Sequence, residues 1–453
     1  MNFIRTNKIA LLFALLGALL YGSFGYDLLR HDFLKLISLV GALFFVTYQL
    51  IKVYGWNFWL LAGIGVVFRL LFLPAIPNLS QDFYRFLWDG RLALQGINPY
   101  LVTPEVYLEA GNEVVHQANE LYVGMGPLNG SHYSNYPPIN QLFFAIAALF
   151  SGKSILGSTI VIRILIIAAD IGILYFGKKL LEGLKLPIKN IFWYFLNPFI
   201  IIELTGNLHF EGVMLFFVVW TLYLLFKGRW FWAAVLLGVS VSVKLLPLLL
   251  LPLFFQFFVK KDAVGIGFWK LTKFYAITLL TIGLSFAPFL SSEFISNFSD
   301  TIALWFQDFE FNASIYYIIR WIGFQTIGWN IIADVGKILP LVIIFILLLV
   351  AFFRRNGSLQ QLITALLFGI SVYFLFSTTV HPWYIATPLV LSIFTKYKFP
   401  VVWSLLVMVS YSAYVADGFS ENLWLVALEY LGVLGYFVWE LFFRKKTTNS
   451  LTA

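Results

Sequence analysis

Fourteen apolar runs alternate with short polar stretches along this chain, near 9–25, 33–52, 57–74, 157–177, 190–205, 210–227, 230–245, 246–259, 274–290, 332–353, 358–377, 383–396, 399–416 and 423–442. Each approaches the roughly 20 residues that an α-helix needs to cross a bilayer, allowing for tilt and for shorter pieces inside a bundle. The pattern predicts an all-α, polytopic transmembrane bundle of about 14 spans. One apolar piece is ambiguous: Tyr136–Phe150 carries only about 10–14 suitable residues, a length typical of interfacial or re-entrant helices. Charge resolves it. If this piece does not span, Arg5, Lys8, Lys52, the cluster from Lys178 to Lys189, Lys227, Arg229, Lys260, Lys261, Lys270, Lys273, Arg354, Arg355, Lys396, Lys398 and Arg444–Lys446 all fall on the cytoplasmic side, as the positive-inside bias requires. The chain then reads as a single domain, 1–453. Its long extracytoplasmic loop, 75–156, carries juxtamembrane helices and the re-entrant piece, and a second outward loop covers 291–331.

One polar stretch, Ser80–Tyr100, interrupts the apolar sequence with carboxylates, arginines and aromatics. Asn78 or Ser80 supplies a helix cap, and Gly90, Gly96 and Pro99 break its far end, so a short helix running into a loop is expected. On that helix Asp82, Arg85, Phe86 and Asp89 fall at i, i+3, i+4 and i+7 and share a face, with Tyr84, Trp88 and Arg91 beside them. Such spacing suits either an exposed ion-pair face or an active site. Other polar groups gather on the same outward side: Asn98 and Tyr100, Tyr136, then Asn207, His209 and Glu211, the loop bearing Asn312, and His381, Trp383 and Tyr384.

Composition narrows the class. With 60% hydrophobic and 11% charged residues the chain departs far from soluble proteins. A formal net charge of +8 spread over short loops points to membrane orientation, and no nucleic-acid partner is expected. There is no cysteine, which removes disulfides, thiolate catalysis and cysteine metal sites. Phe150-Ser-Gly-Lys-Ser154 lacks the first glycine and the preceding strand of a phosphate-binding loop. Charges at membrane depth need partners or a cavity. Arg163 and Asp170 share a face at i and i+7 and are expected to pair. Lys244, at the outward end of a short run, either snorkels to the interface or faces a lipid phosphate. His209, His381, Asp82, Glu203 and Glu211 include metal-ligand types on distant segments; no cofactor is expected, and a divalent metal stays open.

Asp82-x-Tyr84-Arg85-x-Leu87-Trp88-Asp89-Gly90-Arg91, Gly96-x-Asn98-Pro99-Tyr100, Tyr136-Pro137-Pro138, Asn197-Pro198, Gly206-Asn207-x-His209, Lys244-x-x-Pro247, Phe311-Asn312-x-Ser314 and His381-Pro382-Trp383-Tyr384 together resemble the polytopic GT-C glycosyltransferases. The resemblance is nearest to the polyprenyl-phosphate-mannose-dependent mannosyltransferases. It covers Ser80 to about Val390, with little from the first two and last two spans. It implies an inverting transfer of a hexose, mannose first, from a polyprenyl-phosphate donor to a lipid or glycan acceptor on the extracytoplasmic side of a bacterial cytoplasmic membrane. The loop aspartate of that superfamily, its general base, falls on Asp82; Arg85 and Asp89 would assist it. The remaining residues named above, with Lys244, would bind substrate. A lipid-linked sugar flippase or solute transporter is the alternative, and would spread its polar groups through the bilayer toward both openings.

Overall fold

The computed structural model describes residues 2–111, 114–259, 264–416 and 418–444; Lys260, Lys261, Lys445 and Lys446 of the sequence argument lie outside them. Among the described residues seven helices are long and apolar enough to cross a membrane: Arg5–Asp27, Phe33–Tyr54, Ile155–Gly183, Gly267–Phe289, Ile332–Phe353, Leu359–Phe376 and Leu423–Phe442. An eighth arises if Pro198–Gly206 and Glu211–Phe226 are counted as one span, although they are bent by 116°. The predominantly helical membrane architecture is as expected; of the about fourteen spans expected, seven or eight have the length and composition to cross as described. Several apolar runs form shorter helices, Phe58–Leu70, Trp230–Val243, Leu246–Val259 and Phe399–Ala413, of 10–17 residues. At ~1.5 Å rise per residue these fall short of the ~30 Å hydrocarbon core. The run at 383–396 becomes a 3₁₀ turn, Pro382–Ile385, and a seven-residue helix, Ala386–Ser392. Strand structure among the described residues is a small hairpin pairing Tyr414–Val415 with Gly418–Phe419.

The first half of the chain positions the polar loop. Helices α1 (Asn2–Asp27), α2 (Phe33–Tyr54) and α3 (Phe58–Leu70) lead into it. The end of α1 is tied to the approach: Tyr26 Oη donates to the Leu71 carbonyl (2.6 Å), and Asn78 Nδ2 donates to the carbonyls of Phe24 (2.8 Å) and Leu28 (3.2 Å). Asn78 is therefore a strap and not a helix cap. Gln81 takes the cap position of α4 (Asp82–Leu94) without a side-chain bond, and Ser80 Oγ accepts from the Asp82 amide at 3.3 Å. The loop continues through α5 (Pro104–Glu109) and α6 (Ala118–Gly130) to α7 (Pro138–Ser151), which realises the short apolar piece, and then α8 (Ile155–Gly183).

Helices α4 and α7 approach backbone to backbone at Gly90 and Phe144. Phe86 stacks on Phe144 at 4.7 Å, and a Cβ on Gly90 would lie 2.2 Å from the Phe144 carbonyl oxygen. Only glycine permits this approach. Gly90→Ala should push α4 off α7 at a cost of about 1–3 kcal/mol. A lowered midpoint of thermal unfolding in detergent checks it; an unchanged midpoint would show that the two helices slide apart freely.

Buried charge at membrane depth follows a different pairing from the one predicted. Arg69 Nε binds Asp170 Oδ2 at 2.8 Å, with both side chains fully buried, while Tyr194 Oη donates to Asp170 Oδ1 at 2.9 Å. Arg163 instead donates to three carbonyls, those of Thr205 (2.8 Å), Leu73 (2.8 Å) and Gly206 (3.1 Å). The predicted Arg163–Asp170 pair shares one helix face, but the break after Gly206 offers Arg163 unpaired carbonyls and α3 offers Asp170 a guanidinium. Ile201–Gly206 forms a π-helical turn just before the break, and Leu208 adopts a positive φ of 64° within it.

Candidate active site

The 116° break, the start of α4 and the loop before Pro382 meet in one polar pocket. Asp82 stands half-buried in the first turn of α4. One turn further, Phe86 packs edge-on to Phe210 at 5.6 Å, which brings α4 beside His209 and Glu211. Lys244, the residue ending the helix Trp230–Val243, pairs with Glu211 Oε1 at 2.8 Å. Burial raises the Asp82 carboxyl above its usual range; Lys244 and then Arg30 pull it back down, and Glu211 pushes it up. Arg85, expected to orient Asp82, does not serve it.

Trp383 lies flat against both imidazoles, 3.7 Å from His209 and 4.5 Å from His381. Burial, reinforced by Lys244 and Arg30, holds the His381 imidazole down to about 3, so it is a neutral hydrogen-bonding ring. Tyr384 stands edge-on to His381 at 5.4 Å. Tyr136 meets Phe86 and Phe144 edge-on, close to the same floor. Tyr411 Oη donates to Glu203 Oε1 at 2.9 Å, and the other carboxylate oxygen lies 3.7 Å from His209 Nε2. Several buried atoms here have no hydrogen-bond partner: Glu203 Oε2, His209 Nε2, Glu211 Oε2 and His381 Nδ1. A buried polar atom left unpaired is costly, so each of these atoms has capacity for a further hydrogen bond. Among the described residues no three histidine or carboxylate side chains are grouped as metal ligands.

The pocket thus gathers Asp82, Tyr136, His209, Glu211, Lys244, His381, Trp383 and Tyr384 of the residues singled out from sequence. Others are engaged in holding the loop. Asp89 is fully buried, accepting from Arg85 Nε (2.8 Å), Ser134 Oγ (2.5 Å) and Gln141 Nε2 (3.1 Å), while Arg85 Nη1 also donates to the carbonyls of Asn129 and His132. Arg91 donates to the carbonyls of His116 and Lys153 and to Gln117. Trp88 is fully buried against Tyr107, and Tyr84 packs over Phe83 and Gly124. Asn98 caps the turn at Tyr100, whose hydroxyl donates to the Tyr136 carbonyl at 2.6 Å. Asn207 links Leu79 to Ile202, and Asn312 is held by Glu421, Glu429 and Tyr430.

Sequence reasoning missed Arg30 altogether and gave Glu203 only a passing place beside the histidines. Both carried a signal: Glu203 is a carboxylate inside an apolar run, and Arg30-His31-Asp32 is the polar turn between the first two runs. The first two and last two helices are also more involved than expected. Arg30 lies over the Tyr414 ring at 3.4 Å, and Glu429, on Leu423–Phe442, holds Asn312 and the Trp403 indole.

A helical membrane bundle with a carboxylate, a lysine and stacked aromatics in one pocket has the make-up of an integral-membrane enzyme acting on a polar substrate. The comparisons with known proteins agree. The family model described as alpha-(1->6)-mannopyranosyltransferase, N-terminal domain, matches residues 36–260. Alpha-(1->6)-mannopyranosyltransferase A of Mycobacterium tuberculosis is 21% identical over 341 residues, which is 72% of this chain and 63% of that protein. The chain thus aligns to less than two thirds of the relative's length. The resemblance to GT-C mannosyltransferases drawn from the motifs is met by both matches.

Proposed function

We propose that this chain is a glycosyltransferase that moves mannose from a polyprenyl-phosphate donor to a lipid or glycan acceptor, with inversion, at the extracytoplasmic face of a bacterial cytoplasmic membrane. The observation that carries the reading is Asp82 facing the Lys244–Glu211 pair in a pocket of unpartnered buried polar atoms. In the ionised form Asp82 accepts the proton of the acceptor hydroxyl. The freed oxygen attacks C1 of the sugar from one side while the C1–O bond to phosphate breaks on the other, so the phosphate leaves with the bonding pair. Lys244 is placed to exchange Glu211 for that phosphate. Trp383 offers a flat face to the sugar, and His209, His381, Glu203 and Tyr384 offer hydrogen bonds to its hydroxyls.

An apolar cavity of about 100 Å³, lined by Leu249, Leu339, Pro340, Ile343, Tyr373 and Phe376 among others, ends at Ser377 and Thr378, three residues short of His381. A polyprenyl chain lying there would bring its phosphate end toward the pocket. Radiolabelled polyprenyl-phosphate mannose and a mannosylated lipid acceptor, incubated with the purified protein, should give a labelled product of inverted anomeric configuration. Transfer only from a nucleotide sugar would overturn the donor assignment.

The sidedness is tested separately. Because the chain contains no cysteine, single cysteines report cleanly. Ser131→Cys and Ser420→Cys, at exposed positions, should react with an impermeant external reagent, and Glu182→Cys and Arg355→Cys should not. Labelling of Glu182→Cys from outside would invert the topology.

A further inference from the structure

We infer that Arg30, on the turn between α1 and α2, is a donor-binding residue whose guanidinium takes the phosphate of the lipid-linked sugar; this deepens the function proposed above and rests on it. Arg30 lies outside residues 36–260, so the family match does not include it. Its guanidinium is stacked on Tyr414 at 3.4 Å, and its buried Nε has no hydrogen-bond partner. No ion pair or hydrogen bond of its side chain is present among the described residues. By contrast Lys244, the other cation of the pocket, is taken by Glu211, and Arg69, Arg85, Arg91 and Arg163 are each bound to carboxylates or carbonyls.

Two constraints place Arg30: the strap on the end of α1 and the stack on Tyr414. Asn78 holds the end of α1 at Phe24 and Leu28, just before α4 and Asp82. Tyr414, its stacking partner, is 5.9 Å from Tyr411, the tyrosine that binds Glu203. Tyr414 also leans on Phe311 at 6.2 Å, and Phe311 on His381 at 5.2 Å. Stacking leaves the edge of the guanidinium plane, with its N–H fork, available to a ligand. A planar fork with an unpaired donor suits a phosphate monoanion or dianion better than a neutral sugar hydroxyl, because two parallel N–H groups match two phosphate oxygens. With Asp82, Glu203 and Glu211 already in the pocket, an anionic donor needs a second cation besides Lys244. Arg30 is the one whose charge reaches Asp82 without being neutralised.

The test compares wild-type protein, Arg30→Gln, Arg30→Lys and Lys244→Met, each purified in detergent. Binding of a short-chain polyprenyl phosphate, of the matching polyprenol and of inorganic phosphate is measured, together with donor KM and kcat. Arg30→Gln should weaken polyprenyl phosphate binding and raise donor KM at least tenfold, with polyprenol binding and thermal midpoint unchanged. Arg30→Lys should recover part of the loss. Loss of inorganic phosphate binding in parallel would place the contact on the phosphate itself. If Arg30→Gln lowers only the thermal midpoint and leaves donor KM alone, Arg30 is a structural stack and the inference is overturned. If wild-type protein binds no polyprenyl phosphate, the donor assignment fails first and takes this inference with it.

Discussion

Asp82→Asn is expected to slow mannosyl transfer by about 10²–10⁴-fold, the usual contribution of a general base. Donor binding and thermal midpoint should stay near wild type. The substitution keeps the shape and removes only the basic oxygen. Asp89→Asn gives the contrasting result, because Asp89 is fully buried and anchors Arg85, Ser134 and Gln141. Its loss should appear as a lowered midpoint, with activity falling as the loop loosens. The pH dependence separates the two further. Burial raises the Asp82 carboxyl, and only its ionised form can accept a proton, so activity should climb with pH across an acid limb lying above the normal carboxylate range. Lys244 and Arg30 pull that value down; removing either should move the limb to higher pH. An acid limb that ignores both cations, or near-normal turnover by Asp82→Asn at saturating substrates, would direct the search for the base to Glu211.

Arg69→Met should be the most damaging single change to stability. Arg69 and Asp170 are fully buried, and Arg69 also donates to the carbonyls of Gly65 (3.0 Å) and Phe195 (2.7 Å), tying α3 to α8 and to the short helix Phe192–Phe195. Removing one partner leaves a buried carboxylate supported only by Tyr194, which typically costs about 3–5 kcal/mol. Size-exclusion chromatography and thermal unfolding in detergent would show aggregation or a large drop. The double change Arg69→Met with Asp170→Leu should restore much of the loss, since no uncompensated charge remains. A single Arg69→Met protein as stable as wild type would mean that water reaches Asp170.

Periodicity and length made the helices at the ends of the chain legible: the runs 33–52, 332–353 and 423–442 fall on Phe33–Tyr54, Ile332–Phe353 and Leu423–Phe442. The helix starting at Asp82 was legible too, because turn residues punctuate it on both sides. The number of spans was not. A short helix buried against protein is as apolar as one facing lipid, so the runs of Trp230–Val243 and Leu246–Val259 look like crossings until their neighbours are known. Partner choice was also hidden. Arg85 and Asp89 sit four residues apart and find each other, whereas Arg163 and Asp170 are equally well spaced and do not. In that case the competing groups, Arg69 and the carbonyls around Gly206, come from distant segments. The same limit concealed Arg30, whose relation to Asp82 exists only after α1 is strapped to Asn78.

In a carrier, the bend between Pro198–Gly206 and Glu211–Phe226 would be the natural place for a hinge, since broken helices in transporters reorient around a central site. Here Arg163 clasps carbonyls on both the broken helix and the segment after α3. Moving the first half, Pro198–Gly206, away from α8 would sacrifice its two hydrogen bonds to a charged group, each worth about 1.5–3 kcal/mol. The first half of the corner is thereby anchored to α8. If the proposed donor and acceptor are both lipid-borne, they would reach this anchored part of the pocket by sideways diffusion, and turnover would follow their surface density in the membrane more closely than their bulk concentration.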